Sequence, residues 1–326
     1  MSTTTPRIIP HCSFLFLLTF LAGCGSQEFQ FNPYQGTDGI QLEFLPQAPP
    51  EHLYTNTLGE PVEIAITVHN RGAYDAPTAY LTLATQQDYV TLEHWDLPTE
   101  QVDILGANQQ RIAFPLKGKS LENPFGEEQT FRAFATARLD PQLETIETEL
   151  LATVCAPYRT EAHAMVCIDT DPNDLHNRKK ICRPDSLSFQ GQGAPIAITA
   201  IHTEILPSGP DFVRPRFTIT IEDLGGGTAL NVADASTACS SAAIDPKSFD
   251  ALSLQDVVLS QYSLRRGHFE CRPLPIILQD GILEIVCTLK PGLIRVTQDT
   301  FTTDLSVSIA YAYTLSASAQ LRLEKE

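Results

Sequence analysis

The sequence predicts an all-β protein in which an N-terminal export segment precedes two β-sandwich domains in tandem. Three observations lead there. Apolar and polar residues alternate over short runs, 23 prolines punctuate those runs, and no stretch holds helical periodicity for three turns. With residues 1–23 set aside, the rest of the 326-residue chain suits two domains of about 130 to 150 residues.

The first element is the export segment. Arg7 is followed by an apolar run from Phe14 to Phe20 and then by Leu21-Ala22-Gly23-Cys24. The run from Ile8 to Ala22 is only fifteen residues long, interrupted by Pro10 and His11. A membrane-spanning helix needs about twenty apolar residues, so a removed targeting segment fits better. The order of charge, apolar run, two small residues and cysteine resembles a bacterial-type lipobox. That resemblance implies cleavage before Cys24, alkylation of its thiol with a diacylglyceryl group, and membrane lipid as one partner.

Residues 24–38 are polar, with scattered aromatics (Phe29, Phe31, Tyr34) and no period, and read as a lipidated tether. The first sandwich is expected over residues 39–168. It opens with the alternation of Ile40, Leu42 and Phe44, and continues with Val62, Ile64, Ile66 and Val68 leading into Asn70-Arg71-Gly72. Short strands follow at 79–85, 112–116, 131–137 and 150–158. Residues 169–192 form a polar, turn-rich linker, and 193–326 the second sandwich.

The second half repeats the first. Phe217, Ile219 and Ile221 leading into Asp223-Leu224-Gly225 match the earlier strand and turn at an offset of 153. Leu150–Ile168 matches Leu305–Leu323 at an offset of 155, which equates Tyr158 with Tyr313. Two blocks in the same order at nearly the same offset indicate duplication of one domain. Each closing block is expected to be a hairpin, the first turning near Thr160 and Glu161.

Eight cysteines are present, of which Cys12 lies in the export segment and Cys24 is the lipidation candidate. The others are Cys155, Cys167, Cys182, Cys239, Cys271 and Cys287. An even set in an exported chain reads as disulfides, and the absence of any C-x2-C pair argues against zinc. The expected hairpin would pair Cys155 with Cys167. Cys271 with Cys287 and Cys182 with Cys239 are favoured for the rest, the other pairings of those four staying open.

No stretch declares catalytic chemistry. The net charge of -17 disfavours nucleic acid, whose binding depends on Lys and Arg neutralising phosphates. There is no G-x-x-x-x-G-K-[ST], H-E-x-x-H or G-x-S-x-G, and the glycine runs at 191–193 and 225–227 read as turns. Asp169-x-Asp171-x-Asn173-Asp174 resembles the start of a calcium loop. The sixth and twelfth places hold Asp174 and Lys180 where Gly and Glu are needed, so no metal site and no cofactor is assigned. Tyr89, His94 and Trp95 form the one aromatic cluster in a predicted loop, a candidate ligand platform set against a tryptophan that plugs a sandwich core.

GIQLEFLPQAPP, the N-x-G turn, the closing Y-x-T block and GQGAPIAIT together resemble uncharacterised archaeal cell-surface proteins with tandem immunoglobulin-like, CARDB-like domains. That resemblance implies the fold and a surface location; taken with the lipobox, the leading reading is a non-enzymatic envelope protein, anchored by membrane lipid, that displays its modules to a surface protein or glycan for adhesion or envelope assembly. Two alternatives stand beside it: a filament subunit donating a strand from Phe29–Leu45 to its neighbour, and a surface enzyme or solute-binding lipoprotein.

Overall fold

Alternation in the sequence becomes twenty strands in a computed structural model that describes residues 32–98, 101–106, 108–175 and 179–326. The first half contains β1 (Ile40–Phe44), β2 (His52–Thr55), β3 (Glu60–Asn70), β4 (Ala76–Thr85), β5 (Val90–Trp95), β6 (Val102–Gly106), β7 (Gln109–Leu116), β8 (Glu128–Ala137) and β9 (Thr145–Ile168). The second half opens with β10 (Ser186–Ser188), β11 (Ile196–Pro207), β12 (Phe212–Asp223), β13 (Thr228–Leu230) and β14 (Ala251–Leu259). It closes with β15 (Tyr262–Ser263), β16 (Phe269–Arg272), β17 (Ile276–Ile277), β18 (Ile282–Leu289), β19 (Ile294–Arg295) and β20 (Phe301–Lys325). One four-residue helix, α1 (Ala235–Ala238), accompanies them.

The duplication is visible in the topology. One sheet runs β1-β3-β8-β5, and its counterpart runs β11-β12-β18-β16 with β10 added outside β11. Asn70 ends β3 in an Asx turn, accepting from the Gly72 amide (3.1 Å) and from the Tyr158 hydroxyl (3.0 Å). Asp223 ends β12 the same way, accepting from Gly225 (3.0 Å) and from Tyr313 (3.2 Å). A Cβ on Gly72 would stand 1.8 Å from the Tyr158 hydroxyl, and one on Gly225 would stand 2.1 Å from that of Tyr313. Glycine is therefore required at both places because a tyrosine is seated against the turn.

The expected closing hairpins do not form. β9 and β20 are single strands of 24 and 25 residues that pair antiparallel without a register break, from Thr145 with Glu324 to Ile168 with Phe301. The stretch at Arg159-Thr160-Glu161 has no Gly, Asn or Pro to reverse the chain, and its alternation continues. Thr160 is wholly buried, donating to the Ile196 carbonyl (2.5 Å) and sharing a hydrogen bond with the Tyr311 hydroxyl (3.1 Å). Tyr158 faces Tyr311 and Ala156 faces Tyr313, so the ladder is symmetric about Pro157 and Ala312.

This pairing fuses the two sandwiches. The order β15-β14-β20-β9-β4-β7-β6 makes one ten-stranded layer, with β13, β17 and β2 attached beside it. β4 pairs with β9 only over Leu150–Cys155, and β14 pairs with β20 only over Leu305–Ala310. The far end of β9 lies beside β11 of the second half, and the far end of β20 lies beside β1 and β2 of the first. Each sandwich is closed by the end of the other half's long strand. Val166, Ile168, Leu321 and Leu323 accordingly join a core running continuously from Ile64 and Trp95 to Phe217 and Ile285.

The disulfides follow the fused layout, and two of the three differ from expectation. Cys271 pairs with Cys287 across β16 and β18 as expected. Cys155 pairs with Cys239, and Cys167 with Cys182. In a straight strand the backbones of Cys155 and Cys167 are about twelve residues apart, far beyond the reach of one disulfide. Cys239 follows α1, which crosses from the second half onto β4 and β9, where Thr82 donates to the Cys239 carbonyl (3.0 Å) and Arg111 to that of Ser236 (3.0 Å). The 169–192 segment is likewise built in: Asp169, Thr170, Asp171 and Gln192 are buried, and Ser186–Ser188 forms β10.

Donation of a strand from Phe29–Leu45 is also corrected over its second part. Ile40–Phe44 pairs with β3 of its own chain, because alternate residues Ile40 and Leu42 pack on the sandwich core.

Phe217 is fully buried in the second half, and Phe217→Ala should cost about 3–5 kcal/mol. Trp95, the only tryptophan, lies in the first half, and with a shared core its fluorescence midpoint in urea should fall along with the loss of β-sheet circular dichroism. An unmoved Trp95 midpoint would show halves that unfold separately. The Cys155–Cys239 bond closes 84 residues, so Cys155→Ser with Cys239→Ser should lower stability by about 4.5 kcal/mol on the loop-entropy scale, read by the same titration.

Candidate functional site

The straight course of β9 positions the most chemically mixed cleft. Beyond Cys155 the outward residues Arg159, Glu161 and His163 stand along one face, while Tyr158, Thr160 and Ala162 point into the core. The turn after β3 swings Tyr74 against this strand. The Glu161 amide donates to the Tyr74 hydroxyl (3.0 Å), which donates in turn to the Glu161 carbonyl (3.4 Å). The Arg159 guanidinium sits 5.1 Å from the centre of the Tyr74 ring and 3.3 Å from the Glu161 carboxylate.

Residues 32–38 complete the wall instead of hanging free. Pro33 is buried, Gly193 donates to the Gly36 carbonyl (2.7 Å), and Ala73 donates to that of Gly193 (2.6 Å). Tyr34 is thereby held at 5.8 Å from Tyr74, ring centre to ring centre, with about half its surface in solvent. The expected tether is thus docked from Asn32 onward, and Cys24 lies outside the described residues. The cleft measures about 800 Å³ and is lined by Tyr34, Tyr74, Arg159, Glu161, His163 and the 188–192 loop, which brings Phe189, Gln190 and Gln192. Exposed aromatic surface, a cation, an acid and amides converge there, a composition suited to binding.

Behind the cleft runs a row of tyrosines. Tyr74, Tyr158, Tyr311 and Tyr313 stand with ring centres 6.1–6.2 Å apart along the pseudosymmetric seam. Burial pushes the Tyr74 hydroxyl up to about 12 and raises Tyr158, Tyr311 and Tyr313 as well, so all four stay neutral hydrogen-bonding groups. Burial likewise raises the Asp223 carboxyl.

The platform expected from Tyr89, His94 and Trp95 is not assembled. A bulge between Leu92 and His94 turns Trp95 into the core, where it is 3% exposed and its indole N–H has no hydrogen-bond partner among the described residues. His94 lies on the outer face, stacked 4.9 Å from Phe134, and Tyr89 lines a separate cleft of about 560 Å³ with Arg138 and Leu143. The sequence reading overlooked Tyr74, Arg159 and Phe189. Tyr34 reads as part of the tether, and nothing in its spacing indicates that it meets Tyr74.

The calcium-like segment holds an ammonium. Lys180 Nζ lies 2.7 Å from Asp169 Oδ2, 2.7 Å from the Asp171 carbonyl and 2.7 Å from Asp174 Oδ1. Thr300 donates to the other Asp169 oxygen (3.3 Å). Lys180, twelfth in a calcium-loop count, is therefore the internal cation that neutralises buried Asp169. Among the described residues no group of three or more His, Cys, Asp or Glu side chains is placed to hold a metal.

No family model matches this chain, and no curated protein does. Among solved structures it is similar to a type I cohesin domain of Acetivibrio cellulolyticus in complex with a dockerin. The identity there is 10% and the TM-score 0.24, over 34% of this chain and 78% of that one. A cohesin–dockerin complex of Clostridium thermocellum gives 11% and 0.24, over 37% and 84%. The C-terminal domain of the Streptococcus agalactiae antigen I/II polypeptide BspA gives 6% and 0.19, over 88% and 100%. Overlaps this loose carry no argument about what this chain binds or does.

Replacing Lys180 by Met removes the ammonium that neutralises buried Asp169 and should cost about 2–3 kcal/mol, below the usual figure for a buried pair because the lysine side chain is 15% exposed. Its hydrogen bonds to Asp169 and Asp174 raise the Lys180 pKa above 10.5. The stabilisation is therefore complete below that value and lost as pH rises through the raised folded pKa. Urea titrations at pH 7 and pH 11 should show the gap between parent and K180M narrowing at the higher pH.

Proposed function

We propose that the protein is a non-enzymatic envelope module, exported and anchored to a membrane through a lipid on Cys24, that presents the junction cleft to a surface protein or glycan. The observation that carries the extracytoplasmic placement is the use of all six described cysteines in disulfides, bonds that persist where the surroundings are oxidising. These bonds also suit a binding role. Cys167–Cys182 fixes the start of the 169–192 segment next to β9, and Cys155–Cys239 locks the two halves together. The walls of the cleft are therefore held before any ligand arrives, which lowers the entropic cost of binding.

The lipobox supports the anchor, and the docking of residues 32–38 supports a short span between the anchor and the folded unit. The surface-enzyme alternative has less behind it: at the cleft Arg159 and Glu161 are paired with each other, and the neighbouring tyrosine hydroxyls are neutral and engaged.

Metabolic labelling with a fatty acid in an expressing cell should mark the wild-type chain and leave Cys24→Ala unmarked. Label surviving in C24A would reject the anchor. Envelope extract passed over immobilised protein should be retained by the parent, with Tyr34→Ala and Arg159→Ala each weakening retention by about tenfold, the loss typical of an aromatic or arginine contact. Undiminished retention by both variants would remove the cleft from the proposal.

A further inference from the structure

The backbone of β9 changes character along the side that faces away from β20. In an antiparallel strand the N–H and C=O of alternate residues point to the same side, so Cys155, Pro157, Arg159, Glu161, His163 and Met165 share this edge. β4 pairs with it only as far as Cys155. Pro157 stands next in line and has no N–H to offer, which ends the pairing without leaving a donor unmet. Glu161 then exchanges hydrogen bonds with the Tyr74 hydroxyl. At His163 and Met165 the N–H and C=O groups meet no backbone partner among the described residues, although Ala162 and Ala164 between them stay in register with β20.

This open edge borders the junction cleft, which His163 and Ala162 help to line. Donor and acceptor recur there at the two-residue period of a strand, a pattern that another extended main chain matches group for group. Tyr74 bounds the stretch at one end and the Cys167–Cys182 disulfide at the other, so it has room for a few residues and not for the long edge of a second sheet. The fold itself uses a strand that short on its other long strand: β2, with four residues, adds in parallel to Arg322–Lys325 at the edge of β20.

We infer that the β9 edge at His163–Met165 takes up a short extended segment of a partner protein as an added strand. The inference rests on the reading that the junction cleft is the presented site, and it narrows the ligand to a peptide with uncharged side chains. Arg159 and Glu161 are paired with each other at 3.3 Å, so the charge on this rim is balanced and favours neither an acidic nor a basic segment. Side chains on the inner face of the segment would lie beside Ala162 and meet Phe189 and half-exposed Tyr34 across the cleft, which suits apolar residues at alternate positions. On the outer face Met165, 62% exposed, offers apolar cover of its own.

Linear heptapeptides displayed on phage are the probe, selected on the full chain carrying Cys24→Ala. A selected peptide should lose about tenfold in affinity when His163→Pro removes one edge donor, and should bind His163→Ala, which keeps that N–H, nearly as well as the parent. The His163 and Met165 amides should exchange quickly in the free chain and at least about tenfold more slowly with peptide bound, those of Ile64 and Ile219 staying unchanged. Methylating the peptide's own backbone nitrogens one at a time should weaken binding at every second position only, a readout that holds even if the proline variant folds poorly. Binding without protection of His163 and Met165, methylation effects without that alternation, slow exchange in the free chain, or a library with no peptide sensitive to Tyr34→Ala would each overturn the inference. If envelope retention then still depends on Tyr34 and Arg159, the ligand is a glycan and the display reading stands; if it does not, that reading fails as well.

Discussion

The antiparallel ladder between β9 and β20 is the interaction on which the other features depend. Two duplicated sandwiches could each have folded their last strand back as a hairpin and stood apart on a linker. Neither closing block contains a Gly, Asn or Asp to reverse the chain, and Pro157 lies within the straight ladder opposite Ala312, so each runs straight across the boundary and finds a partner in the other's equivalent strand. One layer then belongs to both halves, and a single apolar core passes through the seam.

Several local devices make sense only against that ladder. The Asx turns at Asn70 and Asp223 seat Tyr158 and Tyr313, and the two tyrosines stand on either side of Tyr311 near the pseudosymmetry axis because their strands pair there. The helix before Cys239 crosses from one half to the other because Cys155 lies on the shared layer within its reach. Lys180 neutralises Asp169 at the point where the chain leaves the end of β9, so the segment expected to be a loose linker is packed instead. The mixed cleft follows as well, since it occupies the side of β9 that β4 leaves uncovered.

Fold class was legible in the residues. Alternation of Val62, Ile64, Ile66 and Val68, or of Phe217, Ile219 and Ile221, identifies strands because side chains in a strand alternate between core and solvent. The duplication was legible too, down to the equivalence of Tyr158 and Tyr313. The cysteine partners were not, apart from Cys271 with Cys287, which lie on neighbouring strands. Pairing Cys155 with Cys167 rested on a turn at Thr160, and the alternation there fits a hairpin and an uninterrupted strand equally well. Trp95 was open to two readings for a related reason: a one-residue bulge decides which face of β5 it joins.

The composition and order of residues therefore determined what could be read from short range: strands, turns with obligatory glycine, a repeated unit, cysteines fit for oxidation and a lipobox-like Leu21-Ala22-Gly23-Cys24. Which strand pairs with which, which cysteines meet, and whether Tyr34, Tyr74 and Arg159 share a cleft were decided by contacts between residues tens to more than a hundred positions apart. Alternation reports which face of a strand is apolar and is silent about the identity of its neighbour. That neighbour is chosen by the summed hydrogen bonding and burial of a whole strand, and those exist only once both halves have folded together.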